Sequence, residues 1–307
     1  MDEIKDDIEV LGVVDQQYGF DNNVNLDSDR ERDGYVETMA MIDLTYDTTT
    51  IKGLELKAGV DVFNSLYFIN NINNVLSTSP YMGFNITLAP TLVWKNRVVY
   101  NHFYTNFSPN NFSQFTFATD LRYYMRDNLY FEAGYSFMPR WYPHQKIRVL
   151  TAVPVGQLAS NSVIGDDDRR DNRYSIRYNA GWDLEDMSIM IDNEFIGNNS
   201  NYVYQQSYDY WAIRTTPSIL YFFNDKFYTD LSFTYEYTDY KDRRGVDASN
   251  RNRIVREYRW DINAALYYDI TANTTCDFTY SYNENNSNDP TMKYSNSQMT
   301  VGASYSF

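Results

Sequence analysis

Hydrophobic and polar residues alternate along the last ten residues of the chain, from Gln298 to Phe307. Successive side chains of a β-strand point to opposite sides, so an alternating segment forms a strand with two different faces. One face carries Met299, Val301, Ala303, Tyr305 and Phe307, and the other carries Gln298, Thr300, Gly302, Ser304 and Ser306. The pattern predicts a terminal strand with one apolar face and one hydrated face.

The same alternation recurs through the sequence and predicts about fourteen strands. In one of them Leu231 and Phe233 alternate with Asp230, Ser232 and Thr234. The predicted strands span residues 8–20, 35–47, 53–66, 82–94, 97–108, 113–125, 129–140, 173–183, 187–197, 209–223, 227–240, 254–269, 274–285 and 295–307. Each is long enough to cross a bilayer when tilted, since a transmembrane strand needs about 9–11 residues.

The connections between these strands alternate between short turns and longer polar loops. The short turns are predicted at Lys95-Asn96, Arg126-Asp127-Asn128, Leu184-Glu185-Asp186, Asn224-Asp225-Lys226 and Thr271 to Asn273, all rich in turn-forming residues. The longer links are 21–34, 67–81, 141–172, 198–208, 241–253 and 286–294, with a short one near Ser108 to Phe112. Short turns at one end and long loops at the other are typical of bacterial outer-membrane barrels.

Repeated charges on the polar faces require water there, because burying an unpaired charge is costly. The sequence therefore predicts an all-β fold: one domain, residues 1–307, in which about 14 antiparallel strands close into a transmembrane barrel, with 12 or 16 strands as alternatives. A β-propeller or β-solenoid should show a blade repeat of about 40 residues or a short solenoid period, and neither is present. The strands are also longer than those usual in a soluble sandwich.

Composition supports a barrel and excludes some partners. No run of eighteen apolar residues is present, which excludes a transmembrane helix. Aromatic residues make up 17% of the chain, including 30 tyrosines, and outer-membrane barrels place such residues at both membrane interfaces. The net charge of -15 argues against a nucleic-acid partner, whose phosphates would be repelled. A single cysteine, Cys276, excludes an intramolecular disulfide.

The terminal strand resembles the C-terminal signature of Gram-negative outer-membrane β-barrels, which ends on an aromatic residue that the barrel assembly machinery reads. The resemblance implies that Tyr305 and Phe307 form an assembly signal. It further implies location in the bacterial outer membrane, with lipid and lipopolysaccharide as surroundings. Residues 1–7 lack the features of a secretory signal, so we expect a processed or truncated sequence beginning with a periplasmic tail. A missing upstream domain is an equal alternative.

A second resemblance follows the first predicted strand. The residues Tyr18-Gly19-Phe20-Asp21-Asn22-Asn23-Val24 resemble a phrase found in a family of β-barrel porins and in the barrel domain of surface-lipoprotein assembly proteins. The nearby run of Asp21, Asn23, Asn25, Asp27 and Asp29 superficially suggests calcium. It lacks the glycine and glutamate of the helix-loop-helix calcium pattern, which favours a solvated loop.

Inward-facing charges are the main functional prediction. We predict that the lumen is lined by Glu55, Lys57, Asp61, Asp120, Arg122, Glu132, Arg177, Asp192, Glu194, Arg214, Asp230, Glu236, Glu257, Arg259, Asp261 and Asp277. Acids outnumber bases in this set, so a water-filled pore should favour cations. The alternative is that opposite charges pair across neighbouring strands and merely fill the lumen. The inward aromatics Tyr130, Phe63 and Tyr228 suggest a stacking path for sugars or packing alone.

These features favour an outer-membrane channel or porin for small hydrophilic solutes. Two alternatives remain: an export or assembly barrel for a surface polysaccharide or lipoprotein, and a structural or adhesive barrel with a surface or periplasmic protein partner. The segment 141–172 is expected to be an extracellular loop or to fold into the pore.

No residue pattern indicates enzyme chemistry, so we expect no catalytic, cofactor-binding or metal-binding residues. His102, in a predicted strand beside Tyr100 and Tyr104, is read as an interfacial or packing residue, and His144 as an exposed loop residue.

Overall fold

A computed structural model of the chain describes residues 7–26, 31–48, 51–107, 110–150, 162–201, 208–246 and 252–307. The alternating segments form fourteen strands in this described part. They are β1 (Asp7–Asp21), β2 (Asp33–Asp47), β3 (Leu54–Tyr67), β4 (Val75–Ala89), β5 (Leu92–Thr105), β6 (Phe112–Arg126), β7 (Leu129–Leu150), β8 (Ser162–Asp183), β9 (Met187–Ser200), β10 (Tyr210–Asn224), β11 (Phe227–Val246), β12 (Asn252–Thr271), β13 (Thr274–Ser287) and β14 (Tyr294–Ser306). Within the described ranges, no helix is long and apolar enough to cross a membrane.

Every strand pairs antiparallel with its neighbours in sequence, and β1 pairs with β14 to close the barrel. The last residue, Phe307, extends the pairing between β1 and β14. Gly12 and Phe307 exchange two backbone hydrogen bonds of 2.9 Å each. The Phe307 ring lies over Gly12, where an added Cβ would come within 2.5 Å of it. Closure leaves no strand edge unpaired, which is the condition for a sheet to survive in lipid.

The outer face of the barrel is apolar. In β11, Leu231 is 46% exposed and Phe233 is 37% exposed, while the residues between them face inwards. Outward aromatic side chains gather near both ends of the strands: Trp94, Tyr123, Phe131, Trp182, Phe223 and Tyr268 near the short turns, and Tyr18, Phe115, Trp141, Trp211, Tyr237 and Tyr258 near the other end. An exposed apolar surface bounded by two aromatic girdles is suited to a membrane and not to water.

Except for residues 48–53, the connections at one end of the barrel are only two or three residues long, and those at the other end are longer. Residues 48–53, 90–91, 127–128, 184–186, 225–226 and 272–273 connect strands at the end where β1 begins and β14 ends. The connections at the other end are 22–32, 68–74, 106–111, 151–161, 201–209, 247–251 and 288–293. By the rule for outer-membrane barrels, the short turns are on the periplasmic side and the longer links are outside.

The turn predicted at Lys95-Asn96 is wrong. The chain turns at 90–91, between β4 and β5, so that β4 begins at Val75 and Lys95 lies inside β5. Pro90 is the first residue of this turn, and its fixed φ is compatible with a turn. Lys95 instead pairs with Asn85 on one side and Asp120 on the other.

The predicted loop 141–172 is largely strand. β7 continues to Leu150 and β8 starts at Ser162, which extends the hairpin beyond the length needed to cross the membrane. The intervening residues 151–161 lie outside the described part of the chain. The inward folding of this segment therefore stays a prediction. Of the predicted periplasmic tail at 1–7, residues 1–6 lie outside the described part and Asp7 begins β1.

Candidate functional site: the polar lining of the barrel

The strand register places all of the predicted lining residues on the inner face. They are Glu55, Lys57 and Asp61 on β3, Asp120 and Arg122 on β6, Glu132 on β7, Arg177 on β8, Asp192 and Glu194 on β9, Arg214 on β10, Asp230 and Glu236 on β11, Glu257, Arg259 and Asp261 on β12, and Asp277 on β13. Each lies on the face opposite the exposed apolar side chains of its strand. Their role in a conducting pore stays a prediction.

Five of these residues form one row of alternating charge across five adjacent strands. Arg177 of β8 pairs with Glu194 of β9, which pairs with Arg214 of β10, then Glu236 of β11 and Arg259 of β12. Opposite charges directly across a strand pair stabilise it, and like charges destabilise it. The row therefore favours this register on the inner wall over the registers that would oppose like charges.

The same row continues in the other direction. Arg177 lies opposite Gly134 of β7, which lies opposite Asp120 of β6, and Asp120 lies opposite Lys95 of β5. We call Lys95, Asp120, Arg177, Glu194, Arg214, Glu236 and Arg259 the charge row. Sequence reasoning missed Lys95 because the residue was assigned to a turn.

Arg214 is the most connected member of the charge row. Its Nη1 lies 3.1 Å from Glu194 Oε2, and its Nη2 lies 2.5 Å from Glu236 Oε2. One guanidinium thus joins carboxylates from the strands on both sides. Because the three side chains are less than one third exposed, water screens this arrangement less than it would screen a surface pair.

Gly134 allows Arg177 to reach two strands away. Arg177 Nη2 donates to Asp120 Oδ1 at 2.7 Å and to Oδ2 at 2.9 Å, across β7. A Cβ at position 134 would collide with Asp120 Oδ1, so any residue other than glycine must displace this carboxylate. The glycine is therefore needed for the ion pair between β6 and β8.

We expect Gly134→Val to separate Asp120 from Arg177 and to lower the unfolding free energy of the barrel by about 1–3 kcal/mol. Urea titration of the refolded protein in lipid vesicles, with unfolding followed by tryptophan fluorescence, measures the change. The outward neighbour Ala133 supplies a matched control, because Ala133→Val adds two methyl groups on the apolar face of the same strand. Equal stability of Gly134→Val and the control would contradict the assigned role of Gly134.

Other inward charges form ion pairs beside the row. Glu132 Oε2 accepts hydrogen bonds from Lys95 Nζ at 2.7 Å and from Arg122 Nε at 2.8 Å. The Arg122 guanidinium also lies 4.0 Å from the centre of the Tyr130 ring. Lys57 pairs with Glu55 at 3.0 Å, and Arg259 pairs with Asp261 at 2.9 Å. Most of the predicted lining charges thus form ion pairs across or along strands, the alternative that the sequence left open.

The remaining acids of the predicted set have no ion pair within the described residues: Asp61, Asp192, Asp230, Glu257 and Asp277. The structure adds Asp15 on β1 and Glu37 on β2, which also face inwards without an ion pair in the described part. Sequence reasoning overlooked both, although the same alternation would have found them.

Closure of the barrel brings six of these acids to one side. Asp230 (β11), Glu257 (β12), Asp277 (β13), Asp15 (β1), Glu37 (β2) and Asp61 (β3) lie on a continuous arc of strands. We call these six residues the acidic wall. Lys57 and Arg259 also face inwards on this arc, but each is held by its own acidic neighbour. The lining therefore consists of a neutralised charge row and an acidic wall with uncompensated negative charge.

Two cavities lie along the charge row. One, of about 310 Å³, is lined among others by Lys57, Tyr81, Arg97 and Asp120, and the Arg97 guanidinium lies 3.8 Å from the centre of the Tyr81 ring. The other, of about 360 Å³, is lined by Arg177, Asn179, Asp192, Asn193, Glu194, Arg214 and Thr216.

The two histidines lie away from this lining. His102 is on the outer face of β5, and its Nδ1 is 3.0 Å from Ser113 Oγ on β6. His144 is exposed near the outer end of β7. Neither is near the lining carboxylates, which fits the interpretation of His102 as an interfacial residue.

The segment Tyr18 to Val24, which carries the second resemblance, connects the first outer loop to β14 by hydrogen bonds. Asp21 accepts hydrogen bonds from the backbone of Asn23 at 2.8 Å and from Gln298 Nε2 at 2.7 Å. Asn22 donates to Ser297 Oγ at 2.6 Å. Asp21 and Asn23 are fully buried. Their contacts give the phrase a structural role, while Asp27 and Asp29 lie outside the described residues.

No metal-binding group emerges in the described ranges, since no three His, Cys, Asp or Glu side chains are placed to hold a metal ion there.

The closed barrel of fourteen antiparallel strands, apolar outside and charged inside, is a transmembrane β-barrel of the bacterial outer-membrane type. Solved structures of this class share the fold. OmpT, an outer membrane protein of Vibrio cholerae, superimposes with a TM-score of 0.52 at 10% identity, covering 100% of both chains. An anion-selective porin from Comamonas acidovorans gives a TM-score of 0.54 at 9% identity, covering 99% of this chain and 100% of the porin.

Neither a protein-family model nor a curated protein matches the sequence. The resemblance to outer-membrane barrels is thus confirmed at the level of fold, and the two narrower family resemblances stay predictions. Tyr305 and Phe307 stack on the outer face of β14 with ring centres 6.1 Å apart. Their service as an assembly signal also stays a prediction.

Proposed function

We propose that the protein is a passive outer-membrane channel for small hydrophilic solutes and that it prefers cations. The acidic wall is the observation that carries this proposal. Charges that line a pore set its selectivity, and a carboxylate neutralised by a neighbouring guanidinium contributes little to that field. Because the charges of the charge row alternate in sign, the acids of the acidic wall, which have no ion pair in the described part of the chain, determine the sign of the field.

The fold itself does not decide this preference. A barrel with a similar fold is described as an anion-selective porin, so selectivity has to come from the side chains of the lining. The overall charge of -15 acts in the same direction as the acidic wall, because net negative charge attracts cations to the protein.

Recording in planar bilayers under a KCl gradient tests the proposal. The purified, refolded barrel is expected to conduct, with a reversal potential of the sign that potassium permeation gives. Liposome swelling with neutral sugars and amino acids then measures the size of solute admitted. An anion-type reversal potential would contradict the cation preference. A barrel that neither conducts nor admits solutes would favour the export, assembly or adhesive alternatives.

A further inference from the structure

Three aromatic rings form a ladder on the inner wall near the periplasmic end. Phe222 of β10, Tyr228 of β11 and Tyr267 of β12 lie opposite one another in the strand register. The centres of the Phe222 and Tyr228 rings are 5.4 Å apart, and Tyr228 stacks on Tyr267 at 4.9 Å with an angle of 15° between the planes. This aromatic ladder lies on the lumen side of the wall, where lipid cannot cover it.

The register continues from the ladder directly into the acidic wall. Tyr267 lies opposite Asp277, Asp277 opposite Gly302, and Gly302 opposite Gln17. A Cβ at position 302 would come within 2.8 Å of Asp277 Oδ1 and 2.6 Å of Gln17 Cγ. The glycine thus leaves a shallow cradle whose two sides are a carboxylate and an amide side chain.

Two carboxylate oxygens of the residues beside this cradle have no hydrogen-bond partner among the described residues. Asp277 is only 9% exposed, and its Oδ2 has no hydrogen-bond partner among the described residues. Gln17 donates to Asp15 Oδ2 at 3.0 Å, which leaves the buried Asp15 Oδ1 without a partner in the same part of the chain. Asp230, Asp277 and Asp15 all interact electrostatically with the Tyr267 hydroxyl. Buried carboxylate oxygens without partners are costly unless a cation or a donor meets them.

We propose that the aromatic ladder together with Asp277, Asp15 and Asp230 binds organic ammonium ions that carry an apolar or aromatic body. The ammonium group would donate to the unpartnered carboxylate oxygens, and the body would lie on the ring faces, where cation–π attraction adds to stacking. A small metal ion would make no use of the ladder, and a neutral sugar would leave the charge of the carboxylates uncompensated. This proposal names a solute class for the channel and rests on the proposed function.

Calorimetric titration of the detergent-solubilised barrel with 2-phenylethylammonium tests the site without requiring conduction. The wild-type protein is expected to bind it, and Asp277→Asn is expected to weaken binding by about tenfold, the effect of losing one charge-assisted contact. Tyr267→Leu, which keeps an apolar side chain but removes the ring, is expected to weaken binding several-fold. Asp192→Asn is the matched control, because Asp192 is an inward acid without an ion pair that lies on β9, away from the ladder.

Neutral 2-phenylethanol and glucose separate the chemical classes, and both are expected to bind more weakly than the ammonium ion. Equal affinity of the ammonium ion for the wild type, Asp277→Asn and Tyr267→Leu would overturn the proposal, as would tighter binding of either neutral compound. Resistance of each variant to SDS without heating reports folding before the titration.

Different results would contradict the proposed binding site and the proposed channel function. A barrel that prefers potassium in bilayers but does not bind 2-phenylethylammonium retains the channel function and loses the site. A barrel that binds the ion through Asp277 and Tyr267 but does not conduct retains the site and loses the channel function.

Discussion

Replacing Asp15, Asp230 and Asp277 together by asparagine is expected to lower the cation-to-anion permeability ratio about three- to tenfold, toward equal permeability. These three carboxylates belong to the acidic wall and have no ion pair in the described structure, so their charge reaches the solution in the lumen. Each asparagine keeps the size and planar shape of the aspartate and removes its charge. Reversal potentials in planar bilayers under a KCl gradient give the ratio directly.

A control with the same change in net charge is available in the periplasmic turns. Asp127, Asp186 and Asp225 are exposed residues of three short turns, and their replacement by asparagine also removes three negative charges. Their charge is outside the lumen and is screened by salt over about 10 Å, so the permeability ratio should change little. If both triple variants lower the ratio equally, net charge and not the acidic wall determines selectivity.

Arg214→Ala is expected to lower the unfolding free energy of the barrel by about 1–3 kcal/mol, less than for a fully buried pair because the side chain is partly exposed. The substitution leaves Glu194 and Glu236 without the guanidinium that joins them. The two carboxylates lie on the strands on either side of β10, and no positive charge between them then offsets their repulsion. Urea unfolding in lipid vesicles measures the loss.

The triple variant Arg214→Met, Glu194→Gln and Glu236→Gln tests whether the unpaired charges cause the loss of stability in Arg214→Ala. It removes the arginine and both carboxylates but keeps side chains of similar size, so it should recover much of the stability lost in Arg214→Ala. Arg214→Ala should also raise the cation preference, since it uncovers two acids. An Arg214→Ala barrel as stable as the wild type would show that the charge row does not stabilise the sheet.

The fold could be predicted from the sequence because the barrel needs one repeated feature, alternation with period two. Residues 227–240 and 274–285 carry this feature so regularly that β11 and β13 contain them completely. Asn224-Asp225-Lys226 marks the turn between β10 and β11 for an equally local reason. The turn between β4 and β5 is predicted wrongly because Asn96 indicates a turn, whereas the chain turns at 90–91, which begins with Pro90.

The organisation of the lining could be predicted only in part. Alternation assigns each charge to the inner face, but it does not show which charges meet. Arg177 reaches Asp120 two strands away, and this contact depends on the missing side chain of Gly134. The acidic wall forms only when β1 pairs with β14, which brings Asp15 near Asp277. Contacts of this kind depend on register and closure, which are properties of the whole sheet.

The central claim is that one face of every strand meets lipid and the other meets water. Single cysteines along β11, in a Cys276→Ser background, test it with a charged, water-soluble thiol reagent applied to the barrel in vesicles. Cysteines at Ser232 and Thr234 should react, and cysteines at Leu231 and Phe233 should not. Uniform labelling of the four positions, or reaction at Leu231 and Phe233 alone, would contradict a hydrated lumen inside an apolar wall.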